Sequence, residues 1–81
     1  MRQSMTLDIQ KEIEIFCQNL KLLRESKHLS KKEMSKKLKI SMTALTSIEN
    51  GILPPKLSTS LLINIYQEFG VHPKDMFTPN K

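Results

Sequence analysis

The sequence predicts an all-α fold, a compact bundle of five helices with an extended first helix. Three observations lead to it: apolar residues recur at three- and four-residue steps, residues typical of helix ends punctuate these stripes, and the 81 residues include only two glycines and four prolines. A chain of this length forms one domain with a modest core. Because the aromatic fraction is 5%, that core must be mostly aliphatic.

The first helix carries a continuous apolar stripe. We expect residues 1–7 to be a flexible end and Thr6 or Asp8 to cap the helix. The stripe consists of Ile9, Ile13, Phe16, Leu20 and Leu23. Ile15 and Leu22 lie off the stripe. They indicate either a second apolar face for a partner subunit or surface aliphatics of no special role.

The segment of about residues 30–51 has the pattern of two short helices joined by a tight turn. Ser30 and Glu33 form a capping box ahead of a helix from about Lys31 to Leu38. The turn covers residues 39–41, with Ile40 buried as a wedge, and the next helix ends at Gly51. The predicted buried side chains are Met34, Leu38, Leu45 and Ile48, and either Ser41 or Thr43 caps the second of the two helices.

The rest of the chain predicts a loop and two further helices. Residues 52–56 form a loop punctuated by two prolines, and helix four begins at Ser58 or Thr59 and ends at Gly70. Pro73 opens a short last helix through Phe77. Helix four is predicted to bury Leu62, Ile65, Tyr66 and Phe69.

The positive charge is concentrated on one segment. Residues 31–39 carry five lysines and one glutamate, which gives +4 of the net charge of +5. Such a focal patch is typical of a surface that binds phosphate. A run of lysines can also be only a solvated face.

The remaining reactive residues predict no catalytic or metal site. Cys17 is the single cysteine, so it cannot form an internal disulfide; it is expected to be a buried small apolar residue in a reducing cytoplasm. His28 and His72 have no companion ligands nearby in the sequence. We therefore expect no enzyme activity, no cofactor, no metal, no small-molecule ligand and no membrane segment.

Several short motifs, taken in order, resemble the phage repressor and Cro-type helix-turn-helix family, also called the XRE family. The resemblance covers roughly residues 16–77. The motifs are Leu23-Arg24, Leu29-Ser30, Ile40-Ser41, Ile48-Glu49-Asn50-Gly51, and Phe69-Gly70-Val71 followed by Pro73. It implies a lambda-repressor-like bundle whose third helix lies in the major groove of DNA. Three positions depart from the family: Lys39 replaces a common glycine, Ser35 a common alanine and Lys31 a common glutamine.

The resemblance also assigns residues to roles. By position in the motif, the expected base-reading residues are Met42, Thr43, Thr46 and Ser47, and the expected phosphate-binding residues are Lys31, Ser41, Asn50 and Lys56. Hydroxyl, methyl and thioether groups suit thymine methyls, which predicts a preference for A·T pairs. Arg24 and Glu49 are expected to form a structural ion pair, either buried or exposed.

The leading functional hypothesis is a DNA-binding transcriptional regulator, a repressor that acts as a homodimer on double-stranded DNA. One domain covers a short half-site, so specificity favours two copies about 34 Å apart. Candidates for the dimer face are Ile15, Ile52, Leu53 and the last helix. The alternative hypothesis is a protein-interaction module, such as an antitoxin or anti-repressor, supported by the apolar Ile52-Leu53 loop and the long first helix.

Overall fold

The residues that the structure describes fold as the predicted five-helix bundle with an extended first helix. The structure, a computed structural model, describes residues 2–53 and 59–79, with side chains from residue 10 onward. The helices, in chain order, are α1 (Arg2–Ser26), α2 (Lys31–Leu38), α3 (Met42–Glu49), α4 (Thr59–Phe69) and α5 (Pro73–Met76). Helix α1 is 25 residues long and contacts α3 and α5, while α2 packs between α3 and α4.

A mostly aliphatic core joins all five helices, as the composition predicts. The buried apolar side chains are Phe16, Cys17, Leu20, Met34, Leu38, Leu45, Ile48, Leu61, Ile65 and Met76. The Phe16 and Phe77 rings stack with their centroids 5.3 Å apart. Asn19 Nδ2 donates to the carbonyl oxygen of Met76 at 2.8 Å, which fixes the end of α5 against α1. Burial raises the pKa of the Cys17 thiol, with a smaller contribution from the Glu14 carboxylate, so Cys17 is a core residue as expected.

Two details of the sequence-based expectation are wrong. Helix α1 begins at Arg2, so neither Thr6 nor Asp8 is its cap; the flexibility expected of residues 1–7 stays a prediction. Tyr66 is 47% exposed instead of buried, because α4 turns Leu61 and Ile65 fully inward and leaves Tyr66 at the margin of that face. The Tyr66 ring instead lies 4.9 Å from the His72 ring.

A residue in the left-handed region follows four of the described helices; after α4 it is Gly70 (φ 70°). Helices α1, α2 and α3 share one further feature at this residue, which is His28 (φ 57°), Lys39 (φ 61°) and Gly51 (φ 90°), respectively. After each, the next amide donates to a carbonyl five residues back: Leu29 to Arg24, Ile40 to Ser35 and Ile52 to Ser47. This is the Schellman pattern, in which glycine normally holds the left-handed position. Lysine pays a steric cost there because of its Cβ.

We expect Lys39→Gly to stabilise the domain by about 1 kcal/mol, since it removes that steric cost at φ 61°. Urea unfolding followed by circular dichroism measures the change. Lys36→Gly is the matched control, because it removes a lysine from the exposed interior of α2 and should lose about 0.7 kcal/mol. A loss of stability in Lys39→Gly would contradict the strain assigned to this turn.

Candidate nucleic-acid interface

Helix α3 has one fully buried face and one open face. Leu45 and Ile48 are completely buried. At 100° per residue, Thr43 lies on the side opposite to these two residues, and it is exposed. Met42 is 47% exposed, and Thr46 and Ser47 are half-buried. The structure therefore places the four expected base-reading residues on the part of α3 that the core does not cover.

The first turns of α2 and α3 are both capped by serine. Ser41 Oγ accepts the Ala44 amide proton at 3.0 Å, so Ser41 rather than Thr43 is the N-cap of α3. Ser30 Oγ accepts the Glu33 amide at 3.1 Å, and the Ser30 amide donates to Glu33 Oε1 at 2.9 Å. This backbone hydrogen bond lowers the pKa of Glu33. Both helix starts are therefore fixed, as the capping patterns predict.

Arg24 links α1 to the end of α3 and to the corner that precedes α2. Its Nε donates to Glu49 Oε2 at 2.6 Å and its Nη2 to Glu49 Oε1 at 3.1 Å. Its Nη1 donates to the Leu29 carbonyl oxygen at 3.0 Å. The side chains of Arg24 and Glu49 are 14% and 4% exposed. The hydrogen bond to Glu49 raises the pKa of Arg24. Because one guanidinium makes all three hydrogen bonds, it holds both the end of α3 and the corner before α2.

Three side chains, one each from α2, the turn itself and α4, hold the turn between α2 and α3. Ser35 is buried and its hydroxyl donates to the Lys32 carbonyl oxygen at 2.8 Å. Ile40 packs against the core as a half-buried side chain. Asn64 of α4 donates from Nδ2 to the Leu38 carbonyl oxygen at 3.0 Å, next to the left-handed Lys39. The sequence pattern did not predict this contact, although an asparagine inside the apolar run of α4 is a signal for one.

The lysines of residues 31–39 are unequally placed. Lys31, at the first position of α2, is half-buried, and the other four are exposed. Lys37 Nζ lies 4.0 Å from Glu68 Oε1, so part of its charge is balanced by α4. Asn50 is exposed at the end of α3. Lys56 lies outside the described residues.

Residues 17–80, which include α2 and α3, match a known protein family. The family model described as Helix-turn-helix domain matches residues 17–80, most of the chain. The chain belongs to the helix-turn-helix family. It is of the XRE type, as the motifs of the sequence indicate. Neither the curated proteins nor the solved structures give a match to it.

The family indicates the class of activity to which the helices α2 and α3 belong. Helix-turn-helix domains of this kind are DNA-binding regulatory domains. The match begins at residue 17, so the first part of α1 precedes it. Within residues 2–53 and 59–79, no helix is long and apolar enough to cross a membrane. The described part of the chain also brings together no group of three His, Cys, Asp or Glu side chains that could hold a metal ion.

Proposed function

We propose that this helix-turn-helix domain is a cytoplasmic transcriptional repressor that binds double-stranded DNA sequence-specifically as a homodimer. The observation that carries the proposal is the open face of α3, which carries no exposed charge and is held rigidly by Leu45, Ile48 and the Arg24–Glu49 pair. A rigid helix with this composition can enter the major groove without an electrostatic penalty. Met42, Thr43, Thr46 and Ser47 are the proposed base-reading residues.

Phosphate binding is proposed for residues at the two helix starts and at the end of α3. Lys31 and the first turn of α2 supply one positive charge and the positive end of a helix dipole. Ser41 and Asn50 are exposed hydrogen-bonding side chains at the two ends of α3. The exposed Lys32, Lys36 and Lys39 add to the positive potential that attracts a duplex.

The repressor would act by occupancy of its site. Two copies on half-sites about 34 Å apart would provide the specificity that one short helix lacks. Ile52 is a candidate for the contact between copies, since it is 63% exposed. Leu29 and Ile40, the residues that follow the left-handed His28 and Lys39, instead pack on the core. Selection of bound duplexes from a random library tests the proposal. We expect a two-fold symmetric site; no enrichment over input would contradict DNA reading.

The salt dependence of binding gives a quantitative prediction. If each subunit neutralises about four to six phosphates, the slope of log K against log salt concentration should be near −4 to −5 per subunit. Lys31→Ala should reduce the magnitude of this slope by about 1. Lys74→Ala, an exposed lysine of α5, is the matched control and should leave the slope unchanged. Equal effects of the two substitutions would contradict the phosphate contact of Lys31.

A protein-interaction module, such as an antitoxin or anti-repressor, is the second candidate function. The observation that favours it is an apolar groove between α4 and α5, lined by Leu62, Ile63, Tyr66, His72 and Pro73. Ile63 and Tyr66 are both about half exposed there. Electrophoretic mobility assays with A·T-rich and G·C-rich duplexes separate the two functions. Absence of salt-sensitive binding at micromolar protein would favour the protein partner.

A further inference from the structure

Met42 presents an apolar side chain at the start of the open face of α3. Its exposed fraction of 47% places it among the few large apolar residues of the described chain that the core does not take up. The others, Ile52, Ile63 and Tyr66, lie outside α3. The Ser41 cap and the buried Leu45 fix the first turn, so the Met42 side chain cannot fold into the core without unwinding α3.

Helix α3 itself lacks the side chains that read bases by paired hydrogen bonds. The range Met42–Glu49 contains no arginine, lysine, asparagine or glutamine. Its one charged residue, Glu49, is 4% exposed and bound by Arg24. Thr43, Thr46 and Ser47 each offer a hydroxyl, which both donates and accepts and therefore discriminates weakly. Apolar contact is the other means of discrimination, and although Thr43 and Thr46 each add a methyl group, Met42 has the largest exposed apolar side chain of α3.

The apolar feature that base edges present in the major groove is the C5 methyl group of thymine. We infer that Met42 is the specificity-determining residue of this domain and that it reads a pyrimidine C5 methyl group. The inference rests on the proposed DNA binding and names the group that is read. 5-Methylcytosine carries a methyl on the same ring carbon. Methylation of cytosine therefore creates the feature that Met42 contacts, and the domain binds a methylated C·G pair better than an unmethylated one.

The test uses the duplex recovered by selection from the random library. Each thymine is replaced in turn by deoxyuridine, which removes only the methyl group, and the Kd is measured by fluorescence anisotropy. We expect one thymine per half-site at which the loss of the methyl weakens binding about fourfold. At that position, replacing T·A by C·G should weaken binding, and 5-methylcytosine should restore about the same factor relative to cytosine.

A double-mutant cycle assigns the effect to Met42. In Met42→Ala the penalty of deoxyuridine at that position should vanish. In the control Ile63→Ala, which truncates a side chain of similar exposure on α4, the fourfold penalty should remain. Far-UV circular dichroism checks that both variants fold, which is expected because both side chains are on the surface.

The outcomes separate the inference from the function on which it rests. An unchanged uracil penalty in Met42→Ala, or no penalty at any thymine of an enriched site, overturns the role of Met42 but leaves DNA binding intact. No enriched duplex and no salt-sensitive binding overturns the proposed function and the inference together. A uracil penalty that Met42→Ala abolishes and Ile63→Ala preserves supports the inference.

Discussion

Arg24→Met is expected to destabilise the domain by about 3–5 kcal/mol, a large share of the stability of a chain this short. The substitution leaves the Glu49 carboxylate, 4% exposed, without its cation. It also leaves the Leu29 carbonyl oxygen without the donor Nη1. Removing one partner of a buried pair is costly because the other charge stays in the interior. The free energy of unfolding from urea titration measures the loss.

A second substitution tests whether the loss comes from this pair. Glu49→Leu in the Arg24→Met background should recover much of the loss, because no unpaired charge remains. Lys37→Met is the control: Lys37 and Glu68 are 4.0 Å apart with side chains 45% and 39% exposed, so it should cost less than about 1 kcal/mol. Additive losses in the double variant would show that Arg24 and Glu49 act independently.

Thr43→Glu is expected to weaken duplex binding about a hundredfold or more while leaving the fold at least as stable as before. Thr43 is exposed opposite the buried face of α3, so a carboxylate there faces the phosphates of a bound duplex. The first turn of α3 contains no acidic residue. A glutamate at this end of a helix is favourable by about 0.3–1 kcal/mol. Anisotropy titration and thermal unfolding measure the two effects separately.

Gln67→Glu makes the same change in net charge on the exposed surface of α4 and is the matched control. It should weaken duplex binding only slightly, through the lower net charge of the domain. Loss of binding in both variants would mean that overall charge, and not the face of α3, governs affinity. Normal binding by Thr43→Glu would remove this face from the interface.

The features that the sequence predicted well are those set by local chemistry. The Ser30–Glu33 capping box, the Ser41 cap and the end of α3 at Gly51 each depend on residues within one turn. Lys39 adopts a left-handed backbone at the position where the family commonly has glycine. The buried faces of α2 and α3 follow from helical spacing, because an eight-residue helix on a core has little choice of orientation.

The features that the sequence did not predict depend on how the helices are placed against each other. Tyr66 satisfies the apolar spacing of α4, yet it lies at the margin of the face that meets the core. The contact of Asn64 with the Leu38 carbonyl joins α4 to the end of α2, two parts of the bundle that lie 26 residues apart in the chain. The roles of Met42, Thr43, Thr46 and Ser47 in base reading stay predictions, since exposure makes contact possible without identifying what is contacted.

Whether residues 41–50 form the surface that fits against base pairs is measured by chemical-shift mapping of the isotope-labelled domain during titration with the selected duplex. We expect the largest perturbations on Ser41–Ser47 and on the start of α2, while the groove between α4 and α5 changes little. Perturbations confined to Ile63, Tyr66 and their neighbours, with residues 41–50 unchanged, would contradict this expectation.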